Sequence, residues 1–138
     1  MIIDINAFLG HYPFRKLVNN TPRSMLELMD RHEIDRAVVS SLHAVFYRDA
    51  HRGNEEIYLE TKEHADRFVT IATLNPKYVG WQRDLDQAID RWGMKAVTLV
   101  PAHHGYSLTD EFGKAVLAAI AERNLPVVLT QRFEDRRQ

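Results

Sequence analysis

Short, uninterrupted apolar runs alternate along the chain with longer stretches in which apolar side chains return every three or four residues. The first kind suits a strand buried on both faces, the second an amphipathic helix. Met1 to Ile5 is apolar except for Asp4, and Gly10 and Pro13 follow, so this segment reads as a first strand and its loop. Thr21 and Pro22 supply an N-cap and a first-turn proline, and Met25, Leu26, Leu28 and Met29 continue at helical spacing to about Glu33. Ala37, Val38, Val39 and Leu42 predict a second strand. A polar loop then leads to a helix from about Asn54 to Asp66, expected to bury Ile57, Leu59 and Ala65. Phe68 to Leu74 predicts a third strand, stopped by Asn75 and Pro76.

Trp81, Leu85, Ile89 and Trp92 fall at steps of three or four, which predicts one buried helical stripe carrying both indoles, with Gly93 as its stop. Ala96 to Val100 predicts a fourth strand ended by Pro101. Thr109 is the expected cap of a helix whose Phe112, Val116, Leu117 and Ile120 face inward, and Leu125 to Leu129 predicts a fifth strand. The expected strands lie near residues 2–6, 36–42, 67–74, 95–100 and 125–130, each pair separated by a helix. Apolar strands alternating with amphipathic helices imply an α/β fold, a parallel sheet with right-handed crossovers. No repeat, linker or low-complexity stretch divides residues 1–138, which read as one domain.

Composition narrows the possibilities. At 45% hydrophobic the chain can bury a sizeable core, and a formal net charge of -1 with interspersed acids and bases offers no footprint for nucleic acid. Without cysteine there is no disulfide framework, thiolate nucleophile or Cys-based zinc site. No apolar run approaches the ~20 residues that cross a bilayer, and the expected location is the cytoplasm.

In parallel α/β folds the reactive groups sit on loops that leave the C-terminal ends of strands. Those loops carry Asn6, His11, Tyr12 and Arg15 after the first strand, and His43, Tyr47, Arg48 and Asp49 after the second. Asn75 follows the third, and His103, His104 and Tyr106 the fourth. After the fifth come Thr130, Gln131, Arg132, Glu134 and Asp135. Histidine suits proton transfer near neutral pH and arginine offers a planar fork for carboxylate or phosphate, so this rim is fitted to an acidic metabolite.

The segment Ile2 to Gly10, I-I-D-I-N-A-F-L-G, resembles the opening of the amidohydrolase-related (amidohydrolase 2) family of the metal-dependent hydrolase superfamily, whose first strand ends in D-x-H-x-H-x-G. Arg67 to Pro76, R-F-V-T-I-A-T-L-N-P, is similar to its third strand. Gly93 to Pro101, G-M-K-A-V-T-L-V-P, with H-G-Y-S-L-T-D following, is similar to its fourth, and Leu125 to Gln131, L-P-V-V-L-T-Q, to its fifth. The resemblance implies a (β/α)₈ TIM-type barrel, of which this chain supplies the N-terminal half: five strands and four helices out of eight of each. It also implies hydrolysis or decarboxylation of small carboxylated or ring substrates around a divalent metal. In this chain the two first-motif histidines fall on Asn6 and Phe8, and the fifth-strand histidine on Thr130. A phenyl ring has no lone pair for a metal, and amide or hydroxyl oxygens replace imidazole poorly. The sequence resembles a branch in which Asn6, Phe8 and the segment His11 to Arg15 stand together. No metal or other cofactor is expected at these positions, and Asn6, Phe8 and Thr130 are expected close together on the rim.

Two functions compete. One is a metal-independent hydrolase or lyase acting on a small carboxylated ester or lactone, with His11 and His103 as general acid and base. In it Arg15 and Arg132 hold a carboxylate, and Asn6 and Thr130 hydrogen-bond the substrate. The other is a noncatalytic binding or scaffold protein that kept the barrel and lost the metal. A weaker third option is a relocated metal site built from His11, His43, His103 or His104 with Glu134 or Asp135. Five strands leave the barrel open: either the chain is a fragment of a longer protein, or a second chain completes the barrel, or it assembles as a homo-oligomer.

Overall fold

The computed structural model describes residues 1–131 and shows parallel strands throughout. Strand β1 (Ile3–Leu9) pairs with β2 (Arg36–Ser41), and β2 with β3 (Phe68–Thr70). Strand β4 (Ala72–Thr73) pairs with β5 (Val97–Leu99), and β5 with β6 (Val127–Leu129). The expected third strand is thus divided at Ile71, where the chain changes partners: Ile71 N–H donates to Val39 O at 3.1 Å and Ala72 N–H to Ala96 O at 3.0 Å. The two three-stranded sheets share this strand as a seam.

Helix α1 (Pro22–Arg31) begins where the sequence places it. The Thr21 hydroxyl accepts from Ser24 N–H, the Ser24 hydroxyl accepts from Thr21 N–H, and Pro22 occupies the first turn. Two short helices replace expected loops: α2 (Leu42–Phe46) follows β2, capped by Ser41, and α5 (Pro101–His104) follows β5. Helix α3 (Ala50–Thr61) starts four residues before the expected Asn54, because Asp49 accepts from His51 N–H as its cap. Gly53 lies inside this helix by necessity, since a Cβ there would sit 2.3 Å from Ala44 N on α2. Helix α6 (Glu111–Glu122) is capped by Asp110 rather than Thr109, the Asp110 carboxylate accepting from Gly113 N–H at 2.9 Å and Ser107 N–H at 2.8 Å.

The helix-facing side of the sheet carries the core. Ala7, Leu9, Ala37, Val39, Phe68 and Ala72 pack on Met29, Ile57 and Met94, while Leu74, Val97 and Leu99 pack on Trp81, Leu85, Val116 and Ile120. Leu59 and Ala65, expected in this core, are exposed. The stripe through both indoles is also corrected. Helix α4 (Trp81–Asp86) runs into a π turn at Gln87–Arg91, whose extra residue per turn shifts the phase. Trp81 and Leu85 are buried, Ala88 takes the next core position, and Trp92 is half-buried, stacked on His51 at 4.7 Å and Tyr58 at 5.6 Å.

Alternation puts Phe8, Ser40, Thr73 and Thr98 on the opposite, inner face. Phe8 is in register with Ser40, and Thr73 with Thr98. Across the seam the Ser40 and Thr98 hydroxyls hydrogen-bond at 2.7 Å, both buried, so the sheet curls inward as a barrel wall does. Beyond the end of β2, Asn54 acts as a substitute neighbour for the seam strand: its amide donates to Thr73 O at 2.8 Å and accepts from Thr73 N–H at 2.9 Å. Strand β1 is not buried on both faces as expected. Ile3 and Ile5 are exposed on the outermost strand, the register shifts between Asp4 and Ala7, and the Asp4 carboxylate accepts from Asn6 N–H at 3.0 Å. Among the described residues no helix is long and apolar enough to cross a membrane.

Candidate functional site

The strand ends and the short helices that follow them form one rim. Strand β1 leaves through Gly10, whose φ of +112° admits no ordinary side chain; a Cβ there would also stand 3.1 Å from the His43 ring. That close approach lets His11 N–H donate to His43 Nε2 at 3.0 Å. The loop is closed by Gly10 N–H donating to Asn20 O at 2.9 Å and by the Asn20 amide donating to Gly10 O at 2.8 Å. The same amide lies 3.4 Å from His11 Nδ1, leaving the other ring nitrogen of His11 to face outward.

His43, near the start of α2, is held on three sides. Its Nδ1 is 2.9 Å from the Glu56 carboxylate on α3, its ring stacks on Tyr47 at 5.2 Å, and the His11 ring stacks at 5.6 Å. The Tyr47 hydroxyl donates toward both Glu56 oxygens at 3.3 Å; burial, and then the Glu56 charge, raise this phenol above its usual range. The sequence pattern placed His43 and Tyr47 on the rim but not Glu56, which reaches it from α3.

Next to this cluster runs an aromatic ridge. Tyr12 meets Phe14 at 5.3 Å and Phe46 at 5.8 Å edge to face, and the His103 ring meets Phe46 at 4.9 Å. The ridge connects the loop carrying His11 to the helix carrying His103. His11, Arg15 and His103 are exposed. His104, the neighbour of His103, does the opposite: its Nε2 donates to Val45 O at 3.0 Å, and burial lowers its pKa despite that bond. It ties α5 to α2 as a neutral side chain. Tyr106 is also buried, and burial, with Asp110 nearby, raises its phenol.

Asn6 is exposed on β1, and half-buried Thr130 extends β6 through its N–H to Leu99 O at 3.0 Å. These residues stand on the two outermost strands, and among the described residues neither side chain enters the His43 network. Arg132, Glu134 and Asp135 lie outside the described residues. Phe8 presents a ring on the inner face beside Ser40, so the set Asn6, Phe8 and Thr130 does not fit a divalent metal. Among the described residues no three His, Asp or Glu side chains are grouped to hold one, and His43 has both ring nitrogens committed.

Comparison with solved structures finds this architecture in (β/α) barrels of the amidohydrolase type. A protein named amidohydrolase II aligns over 94% of this chain and 50% of its own, with TM-score 0.74 and 18% identity. A 2,6-dihydroxybenzoate decarboxylase from Rhizobium aligns over 100% and 52%, with TM-score 0.71 and 15% identity. A 4-oxalomesaconate hydratase from Rhodopseudomonas palustris aligns over 94% and 52%, with TM-score 0.70 and 19% identity. The chain spans about half the length of each. It has the fold of about half of a TIM barrel of this type. No family model and no curated protein matches the sequence.

Proposed function

We propose that the chain forms the N-terminal half of an amidohydrolase-related barrel acting as a metal-independent hydrolase or lyase on a small carboxylated ester or lactone. The observation that carries this reading is the fixed loop after β1: anchoring His11 N–H to the His43–Glu56 pair leaves the His11 imidazole exposed on the rim, one aromatic ridge away from His103. His11 and His103 serve as proton-transfer groups. Arg15 and Arg132 are the carboxylate anchors, and Asn6 and Thr130 hydrogen-bond the substrate. A placed general acid or base contributes ~10² to 10⁴ in rate, which is enough for an activated ester and too little for an unactivated amide. The solved relatives named for small carboxylated molecules, a dihydroxybenzoate decarboxylase and an oxalomesaconate hydratase, support the substrate class.

The pH profile of hydrolysis of small esters and lactones tests it. His11→Ala and His103→Ala are expected to lower kcat/KM at least ~10²-fold each; rates unchanged by both substitutions refute the catalytic reading. The phenyl ring of Phe8 on the inner face favours a second reading, a noncatalytic binding or scaffold protein. Its signature is a carboxylate that raises Tm without turnover. Among the described residues β1 and β6 are outer strands of the two sheets, and light scattering of the purified protein tests whether a second copy or another chain completes the barrel there.

A further inference from the structure

The two partners of His43 permit one protonation state. A backbone N–H can only donate, so Nε2, 3.0 Å from His11 N, must hold a lone pair. A carboxylate can only accept, so Nδ1, 2.9 Å from Glu56, must carry the proton. A second proton on Nε2 would confront the His11 N–H and break that bond, while the imidazolium would hold Glu56 more strongly. Proton uptake therefore exchanges one contact for the other.

The groups around the ring bear on this exchange. Glu56 faces it from α3, the Tyr47 phenol from the end of α2, and the His11 imidazole from the loop. The charges of Arg52 and Glu60 on α3 also reach Tyr47. The loop's own closure, Gly10 N–H to Asn20 O and the Asn20 amide to Gly10 O, does not involve His43. The loop can leave the ring without unravelling.

We propose that His43, fixed by Glu56 as the neutral Nδ1–H tautomer, is a positioning residue and an acid-sensitive latch: it holds the 10–20 loop through His11 N–H and lets go when protonated. The latch rests on the rim reading only for its consequence, which is that His11 and Arg15 leave their places together.

Imidazole ¹⁵N spectra and backbone amide exchange of the full chain, corrected for intrinsic exchange, test it at about pH 8 and about pH 5. The expected result is an Nδ1–H signature for His43 at the higher pH and a roughly tenfold loss of protection at the His11 amide at the lower. The Gly10 amide keeps its protection. His43→Gln, which retains an acceptor that does not titrate, makes His11 protection independent of pH. An Nε2–H tautomer at the higher pH, or His11 protection equal at both, overturns the proposal. If the latch titrates while His11→Ala leaves turnover unchanged, the rim reading fails and the latch stands.

Discussion

The Ser40 and Thr98 hydroxyls are 2.7 Å apart on strands that do not pair, because the strand between them is shared by both sheets. Neither residue retains appreciable contact with solvent, so each is the other's replacement for water. Ser40→Ala or Thr98→Val alone leaves a buried hydroxyl unsatisfied and should cost ~1–3 kcal/mol in urea denaturation. The double variant should cost less than the two singles added together. Additive losses would mean that the hydroxyls do not depend on each other.

Acid should weaken the fold through His104. Burial lowers its pKa in the folded state, so below the ordinary imidazole value, ~6.5, the unfolded chain binds a proton that the folded chain refuses. Stability from this residue is complete above that value and falls as pH drops toward the folded pKa. His104→Gln should flatten the slope of Tm against pH in this window, and an unaltered slope would assign it to other groups.

Gly53→Ala should destabilise the protein even though alanine favours a helix interior by ~1 kcal/mol. The added methyl meets the Ala44 backbone at 2.3 Å, and α2 must move to admit it. A net loss of ~1–3 kcal/mol is expected; a gain in Tm would show that the contact between α2 and α3 yields easily.

Two arginines that each bridge several acceptors should behave differently. Arg67 donates to the Ile34 and Asp35 carbonyls as well as to Asp30, closing the turn between α1 and β2. Among the described residues Arg123 joins the exposed carboxylates of Asp86 and Asp90. Arg67→Ala should cost ~1–2 kcal/mol and change little with salt. Arg123→Ala should cost below ~1 kcal/mol and lose its effect in high salt. Thermal melts across a salt series separate them.

The strand and helix order was legible because each element carries its own periodicity, and the start of α1 because Thr21 and Pro22 act locally. The rest depended on contacts distant in sequence. Gly53 read as a loop residue and Asn54 as the start of a helix, yet one is small to admit Ala44 and the other is polar to bond the Thr73 backbone. The π turn inserts one residue into an otherwise regular pattern, which periodicity alone does not register. His103 and His104 are adjacent and alike in sequence; the carbonyl of Val45, 59 residues from His104, separates the exposed one from the half-buried one. Of the candidate site, the rim positions of His11 and His103 were readable from their places after strands, whereas Glu56 lay inside the predicted helix and its contact with His43, on another helix, left no local pattern.

Strand β1 bears on aggregation. An outermost strand showing Ile3 and Ile5 is a template on which other chains can add, and the register shift between Asp4 and Ala7 interrupts it at mid-length. Asp4 contributes twice, placing a charge between two isoleucines and occupying the Asn6 amide with its own carboxylate. It is the gatekeeper of that edge. Asp4→Val would leave the native core untouched and turn residues 1–5 into an unbroken β-prone segment, so its damage would emerge as concentration-dependent fibril growth rather than as a lower Tm.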